Sequence, residues 1–238
     1  MKEIDKLRKK IDKIDSEILD LFNKRSEVVI HIGKEKKSKN LFRPSRQSLI
    51  LKNLLNNKKN KIKPQSILAL WRNIFLSQID LQGGIKILVL KYMSNIDIRE
   101  IYNYFSHDVD ISKVSNIRHG IKKVNTDRNT LLILPYPGNT KHSNWWARKE
   151  LENFFLISAL PFFLRENKRP RLVIISKYKS IIEKDFYALY ISKTLLKNTD
   201  LILEAKTSEN FLYKGYRLIK NRNLRLLGVL PKHYEIKK

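Results

Sequence analysis

The chain contains one long apolar repeat in which a single arginine interrupts the pattern. Apolar residues recur at alternating intervals of three and four, a period typical of a helix that packs against other helices. Arg25 stands where one more apolar residue is due. Removing a guanidinium from water costs several kcal/mol unless an anion compensates it. Arg25 therefore pairs with an acidic residue of another helix, extends to the surface, or binds an anionic ligand. We call the apolar residues of this repeat the apolar seam: Ile4, Leu7, Ile11, Ile14, Ile18, Leu21, Val28 and Ile32.

Two further basic residues bear on what Arg25 could hold. Lys36 follows Arg25 by eleven residues, which returns a helix to nearly the same face at a rise of roughly 16 Å. Two long cationic side chains on that face could hold opposite ends of a small dianion. Arg8 lies roughly 25 Å before Arg25 on such a helix and about 100° around it. Arg8 is therefore either a solvated surface residue or part of a second site in another subunit.

Three helices are predicted to position these residues. The first covers about ten turns, because no proline occurs before Leu41 and Gly33 is the only glycine there. Residues 37–43 read as a loop, and Pro44 with Ser45 as the N-cap begins a second helix. Pro64 opens a third helix, which runs to Gln82 and is stopped by two glycines.

The apolar stripe of the third helix ends in two glutamines. Ile67, Trp71, Ile74 and Phe75 form the stripe, and Gln78 and Gln82 continue it at four-residue spacing. Such a pair either caps the edge of a helical bundle or contributes amide groups to a site.

Composition sets the broad class. The chain has 238 residues, no cysteine, and a net charge of +26. No secretory signal or membrane span is recognised, and we expect a cytoplasmic protein. Such a charge suggests nucleic acid as a partner, but the excess is diffuse, with 20 basic and 9 acidic residues in 1–84. Nucleic acid is therefore an unlikely partner on sequence grounds.

The N-terminal motifs resemble a known family. The run LRKKIDKIDSEILDLFNKRSEVVIHIGKEK, then RPSRQ, then a helix ending in DLQ, is similar to the all-helical class of chorismate mutase. The resemblance covers about residues 1–84 and implies a homodimer of intertwined three-helix chains that rearranges chorismate to prephenate. It implies no cofactor and no metal. The long first helix of this family crosses between two active sites.

The resemblance also implies roles for individual residues. Arg25 and the partner chain's Arg8 match the arginines that clamp the substrate carboxylates. Lys36 and Gln82 match the pair that donates to the ether oxygen. Arg46 matches a further arginine of the second helix.

Three positions depart from the family pattern. Gln47 stands where most members have a glutamate that accepts from the ring hydroxyl of the substrate. Arg43 replaces an acidic residue of some relatives, and Gln78 stands where a serine is common. These departures leave open an isochorismate pyruvate lyase on the same fold. A basic nucleic-acid-binding protein without activity is the alternative from another class.

Residues 85–238 are predicted to form a second, α/β domain. Strands are expected in IKILVLK, where apolar and polar residues alternate, and in TLLILPYPGN, FFLISALPFF, RLVIIS and NLRLLGVLP. IREIYNYF and NWWARKELENF are expected as helices, with Trp145 and Trp146 as a packing cluster. LPYPGN and NWW resemble extended alphaproteobacterial chorismate mutases, and the order of elements faintly resembles a degenerate prephenate dehydratase domain. That enzyme's Thr-Arg-Phe segment is absent, so no second activity is expected, and the histidines show no metal spacing.

Overall fold

The structure is a computed structural model, and it describes residues 2–35, 40–138, 144–165, 168–181, 186–192, 202–206 and 224–236. The chain begins with three helices, as the sequence predicts: α1 (Lys2–Glu35), α2 (Pro44–Leu55) and α3 (Pro64–Asp80). An α/β region follows, so the predicted class of an all-α segment before an α/β segment is confirmed. Within the described ranges, none of the helices combines the length and apolar character that crossing a bilayer requires.

Proline defines where α2 and α3 begin. Pro44 and Pro64 occupy the first helical turn, where a missing N–H and a fixed φ angle are tolerated. The prediction of Ser45 as N-cap is wrong: Arg43 holds that position without a side-chain cap, and Ser45 is buried inside the helix. α3 ends at Asp80, before the predicted Gln82, and Gly83 and Gly84 adopt positive φ angles of 112° and 72° in the turn that follows.

The α/β region opens with a parallel unit. β1 (Lys86–Leu90), α4 (Asn95–Phe105), β2 (Asp110–Val114), α5 (Ile117–Thr126) and β3 (Thr130–Pro135) follow one another, and β1 pairs in parallel with both β2 and β3. The later strands are β4 (Phe155–Leu160), β5 (Phe163–Arg165), β6 (Leu172–Ser176), β7 (Phe186–Ser192), β8 (Ile202–Lys206), β9 (Leu224–Pro231) and β10 (Tyr234–Ile236). They complete a mixed eight-stranded sheet of order β2-β1-β3-β6-β4-β9-β7-β8 and a two-stranded sheet of β5 and β10.

Two predictions for this region are wrong in detail. β1 is buried from Ile87 to Leu90 instead of alternating, because it lies inside a sheet that is covered on both faces. NWWARKELENF forms two short 3-10 turns, Asn144–Ala147 and Lys149–Leu151, instead of a helix. Both indoles are buried and donate to backbone carbonyls, Trp145 to Pro135 at 2.8 Å and Trp146 to Gly138 at 2.9 Å. These bonds tie the segment to the end of β3, which fits the predicted packing cluster.

The helices α2 and α3 pack onto one face of the large sheet beside α4. We call this continuous apolar cluster the shared core. Its members before the Gly83-Gly84 turn are Phe42, Leu51, Leu55, Ile67, Phe75, Leu76 and Ile79. Its members after the turn include Ile87, Val89, Ile101, Tyr104, Phe105, Ile133, Ile157, Leu160 and Phe162. The two segments that the sequence divides at this turn therefore share one hydrophobic core.

The helix α1 differs from α2 and α3 because none of its residues is fully buried. It is 34 residues long, in agreement with the predicted ten turns. The residues of the apolar seam are between 43% and 64% exposed in the single chain. A continuous apolar face of this length is unusual on a soluble surface and indicates an interaction site.

Candidate functional site

The second half of α1 meets α3, and part of the set of predicted site residues lies at this junction. Phe22 and Ser26 of α1 line a cavity of about 310 Å³ together with Gln78 of α3. Two turns beyond Ser26 along α1, Gly33 lies against Gln82. The junction therefore places α1 beside Gln78 of α3 and Gln82 of the turn that follows α3.

Arg25 is half-buried at this junction, and none of the described carboxylates pairs with it. Its guanidinium carbon lies 5.7 Å from the centre of the Phe75 ring. Its Nη1 is buried and has no hydrogen-bond partner among the described residues. Burial lowers the pKa of Arg25, and the nearby positive charge of Arg46 lowers it further. Two guanidinium groups that repel one another in this way favour an anionic ligand between or beside them.

Gln82 presents an unused carbonyl oxygen and a partly used amide nitrogen. Its Nε2 donates to the backbone oxygen of Gln78 at 3.0 Å, and an amide nitrogen carries a second proton. Its Oε1 is buried without a hydrogen-bond partner among the described residues. A Cβ atom at position 33 would lie only 3.1 Å from this oxygen, so Gly33 gives Gln82 the space to approach α1.

The cavity beside Gln78 also carries acidic groups. Gln78 is buried, and Asp80 and Asp108 line the same cavity. Burial raises the pKa of Asp80, and the negative charge of Asp108 raises it further. This part of the junction is therefore less suited to an anion than the surroundings of Arg25.

The residues predicted on α2 have different environments. Arg46 is exposed and contributes positive potential at Arg25. Gln47 is buried, and its Oε1 accepts a hydrogen bond from Nη1 of Arg72 at 3.3 Å. Arg43 is half-buried immediately before the helix. Gln47 thus has a protein partner for the oxygen that the family resemblance assigns to the substrate.

Sequence reasoning did not identify Arg72. It lies in the middle of the apolar run ILALWRNIFL and is 3% exposed. Its guanidinium carbon is 3.8 Å from the centre of the Tyr104 ring and 5.2 Å from that of Phe162. Burial lowers its pKa, and the contact with Tyr104 opposes this effect. The signal was available, because a lone arginine inside an apolar helical run requires the same explanation as Arg25.

One predicted site residue that the structure describes, Arg8, is not brought to the junction. Arg8 is exposed and pairs with Asp5 at 3.6 Å, and about 25 Å of helix separate it from Arg25. Lys36 lies outside the described residues. Of the predicted set, Arg25, Arg46, Gln78 and Gln82 surround the α1–α3 junction, while Gln47 faces Arg72.

The chemistry that this arrangement supports is binding and electrostatic stabilisation. Arginine and amide groups can hold a small anion and stabilise negative charge that develops on it. Among the described residues, no group of three or more histidine, cysteine, aspartate and glutamate side chains could hold a metal ion.

Comparison with known proteins finds a family-model match in the helical segment. Residues 7–83 match the family model described as chorismate mutase type II. A bifunctional chorismate mutase/prephenate dehydratase of Aquifex aeolicus (strain VF5) is 30% identical over 141 residues, covering 57% of this chain and 39% of that protein. One of Neisseria gonorrhoeae (strain ATCC 700825 / FA 1090) is 25% identical over 136 residues, 57% of this chain and 38% of that protein. The chain thus spans about two fifths of the length of these curated relatives.

The similarity to the curated relatives extends past the helices, because aligned segments of 141 and 136 residues are longer than residues 7–83. Among solved structures, the X-ray structure of prephenate dehydratase from Streptococcus mutans is similar, with a TM-score of 0.40 and 12% sequence identity. It covers 64% of this chain and 100% of that chain. The α1–α3 junction lies within residues 7–83, the segment that is similar to the chorismate mutase type II family.

Proposed function

We propose that this chain is a chorismate mutase, which rearranges chorismate to prephenate at the α1–α3 junction. The observation that carries the proposal is the environment of Arg25, inside the segment that matches the family. Arg25 is half-buried beside a second arginine, and its Nη1 has no hydrogen-bond partner among the described residues. Chorismate is a dianion, and an anion that binds here would relieve the repulsion between Arg25 and Arg46. Bidentate binding of carboxylates by guanidinium groups gives both affinity and orientation.

The reaction needs positioning and charge stabilisation, which this site can provide. The rearrangement is intramolecular, so no nucleophile and no cofactor takes part. The enzyme holds the ether side chain over the ring and stabilises the negative charge that grows on the ether oxygen. The second Nε2 proton of Gln82 is suited to donate to that oxygen, because the first is already used by Gln78. By family resemblance, Lys36 is the charged member of the same donor pair.

The active unit that we propose is a homodimer. The apolar seam of α1 is exposed in the single chain, and a second copy of the same helix offers a matching apolar face. In such a dimer, Arg8 of each chain could reach the junction of the other, which it cannot reach in its own. Burial of the seam and completion of the site would then be consequences of the same association. We place this enzyme in the cytoplasm, as the composition predicts.

Conversion of chorismate by the purified chain tests the proposal. Loss of the chorismate absorbance and formation of prephenate are expected, and Lys36→Ala is expected to abolish both. Pyruvate released from isochorismate, with chorismate left unchanged, would favour the lyase instead. A folded dimer that converts neither compound would contradict an enzymatic role at this site.

Substitution of Arg25 tests the role of the central residue. Arg25→Ala is expected to lower kcat/KM about a thousandfold or more, because the charge of Arg25 stabilises the bound dianion and the transition state. This factor corresponds to a loss of several kcal/mol of transition-state stabilisation. Arg99→Ala is the matched control, since Arg99 is an exposed arginine of α4 and lies outside this junction. Near-normal kcat/KM in a folded Arg25→Ala protein would refute the assignment.

A further inference from the structure

A second cavity adjoins the one at the α1–α3 junction and lies between α3 and the α/β region. It has a volume of about 460 Å³. Its walls include Leu68, Ala69 and Arg72 of α3, Tyr104 of α4, and Pro161 and Phe162 from the segment between β4 and β5. We call it the α3–α4 cavity. Its size falls in the range of small-molecule sites.

Arg72 is the one fully buried cation in the wall of this cavity among the described residues. Nη1 donates to Gln47, but Nε and Nη2 are buried without any hydrogen-bond partner among the described residues. No described carboxylate lies within ion-pair distance of it. The faces of Tyr104 and Phe162 attract the guanidinium as a cation, and the Gln47 oxygen accepts one bond. None of these neutral groups compensates a full positive charge.

A water molecule is a poorer partner than an anion for the buried guanidinium of Arg72. A void beside Arg72, Gln47 and Phe75 has a volume of about 10 Å³, which is the lower limit for one water. A water would satisfy one N–H group and leave the charge uncompensated. Nε and Nη2 are closed to solvent, so an anion in the cavity binds them only after the Arg72 side chain turns towards it. The fork of the guanidinium would then match a carboxylate.

The remaining wall indicates what the anion is attached to. Leu68, Phe162 and Phe163 provide apolar and aromatic surface, which favours a flat apolar body. Glu100 lines the same cavity from α4, one helical turn before Tyr104. Its negative charge disfavours a carboxylate on the α4 side and directs it towards α3.

We propose that the α3–α4 cavity binds a small carboxylate with a flat apolar body, and that Arg72 holds the carboxylate. The site adjoins the α1–α3 junction, since Asn73 and Ser106 line both cavities, but it does not depend on the proposed mutase activity. The same guanidinium contacts Gln47, so the ligand would bind next to a residue of α2 that the family resemblance places in the mutase site.

Calorimetric titration of the full chain with 3-phenylpropionate tests the proposal, and 3-phenylpropanamide is the neutral control of the same shape. The acid is expected to bind at one site per chain. The amide is expected to bind at least about tenfold more weakly, because it lacks the charge. Equal affinity of the two compounds, or no binding of the acid up to its solubility limit, would overturn the proposal.

Three variants place the binding. Ala69→Trp fills the cavity without replacing Arg72 and is expected to abolish binding of the acid. Arg72→Gln is expected to remove the preference for the acid; if it fails to fold, the Ala69→Trp protein still decides. Arg25→Gln is the control for binding at the α1–α3 junction and is expected to leave the affinity unchanged. Binding that is lost in Arg25→Gln but kept in Ala69→Trp would assign the probe to the junction and overturn the proposal.

Discussion

The helix α1 and the helices α2 and α3 lie in the segment that matches one family model, but they are stabilised differently. α2 and α3 bury their apolar faces in the shared core, where Leu51 is 0% exposed. α1 buries no residue completely, although its apolar seam is the most regular pattern in the sequence. The difference teaches that a strong apolar period identifies a packing face without identifying its partner. For α2 and α3 the partner is the rest of the same chain, and for α1 we propose a second copy.

Removing the α/β region should have the largest effect. All matched site residues lie in 1–84, so the sequence alone predicts that this fragment dimerises and acts by itself. The shared core predicts a different result, because the fragment exposes Phe42, Leu51, Ile67, Phe75, Leu76 and Ile79. Burial of each such side chain contributes about 1.5–3 kcal/mol, so the sum is comparable to a typical stability of about 5–15 kcal/mol.

We therefore expect fragment 1–84 to lose its cooperative unfolding transition and most of its mutase activity. Circular dichroism during heating and a chorismate assay measure both. A fragment that unfolds cooperatively and keeps the full chain's kcat/KM would show that the shared core is dispensable.

Paired alanine substitutions separate the two kinds of packing. Leu51→Ala should lower the free energy of unfolding by about 2–5 kcal/mol through a cavity in the shared core. Ile18→Ala should cost a similar amount only in the dimer, because Ile18 is 43% exposed in the single chain. Sedimentation at several concentrations should show weakened dimerisation for Ile18→Ala and an unchanged association constant for Leu51→Ala. Equal association constants for the unsubstituted protein, Ile18→Ala and Leu51→Ala would exclude the apolar seam as the dimer contact.

Acid should weaken the attachment of α2 to the α/β region. His233 is partly buried, with Nδ1 at 2.9 Å from the oxygen of Pro161 and Nε2 at 3.2 Å from the Tyr187 hydroxyl. Burial lowers its pKa to about 4, the Pro161 carbonyl opposes this shift, and the positive charge of Lys52 on α2 adds to it. The next residue, Tyr234, bonds to Asn56 at the end of α2 at 3.5 Å.

The sign of the pH effect follows from the lowered pKa. Between pH 6.5 and 4 the unfolded chain binds a proton that folded His233 does not, so the free energy of unfolding falls as pH falls. The expected loss is about 2 kcal/mol at pH 5 and at most about 3 kcal/mol below pH 4. Urea titrations at pH 7 and 5 measure it, with His233→Gln as the variant that lacks the titrating group. An identical pH dependence in both proteins would contradict this role for His233.

Helix positions could be predicted from the sequence because prolines and glycines mark where they begin and end. Pro44, Pro64 and Gly83 did so within a few residues. The burial of β1 was not predictable, because it depends on strands and helices distant in sequence. The place of Arg72 in an apolar helical run was visible in the sequence, but its contacts were not, because only the fold brings Tyr104 and Phe162 over its guanidinium. Arg25 was predictable, since its position in the seam required a compensating partner from the outset.

Exchange of Arg8 between subunits is the central claim, and complementation tests it most directly. Arg8→Ala and Arg25→Ala proteins, each inactive alone, are unfolded together and refolded as a mixture. In a heterodimer one site lacks both arginines and the other keeps both. Random pairing of a symmetric dimer makes about half of the dimers mixed, each with one intact site.

The mixture is therefore expected to recover about a quarter of wild-type activity, measured as chorismate consumption per total site. Differently tagged chains verify that heterodimers form. No recovery in a mixture that contains them would show that Arg8 does not complete the partner's site, and the account of α1 would be wrong.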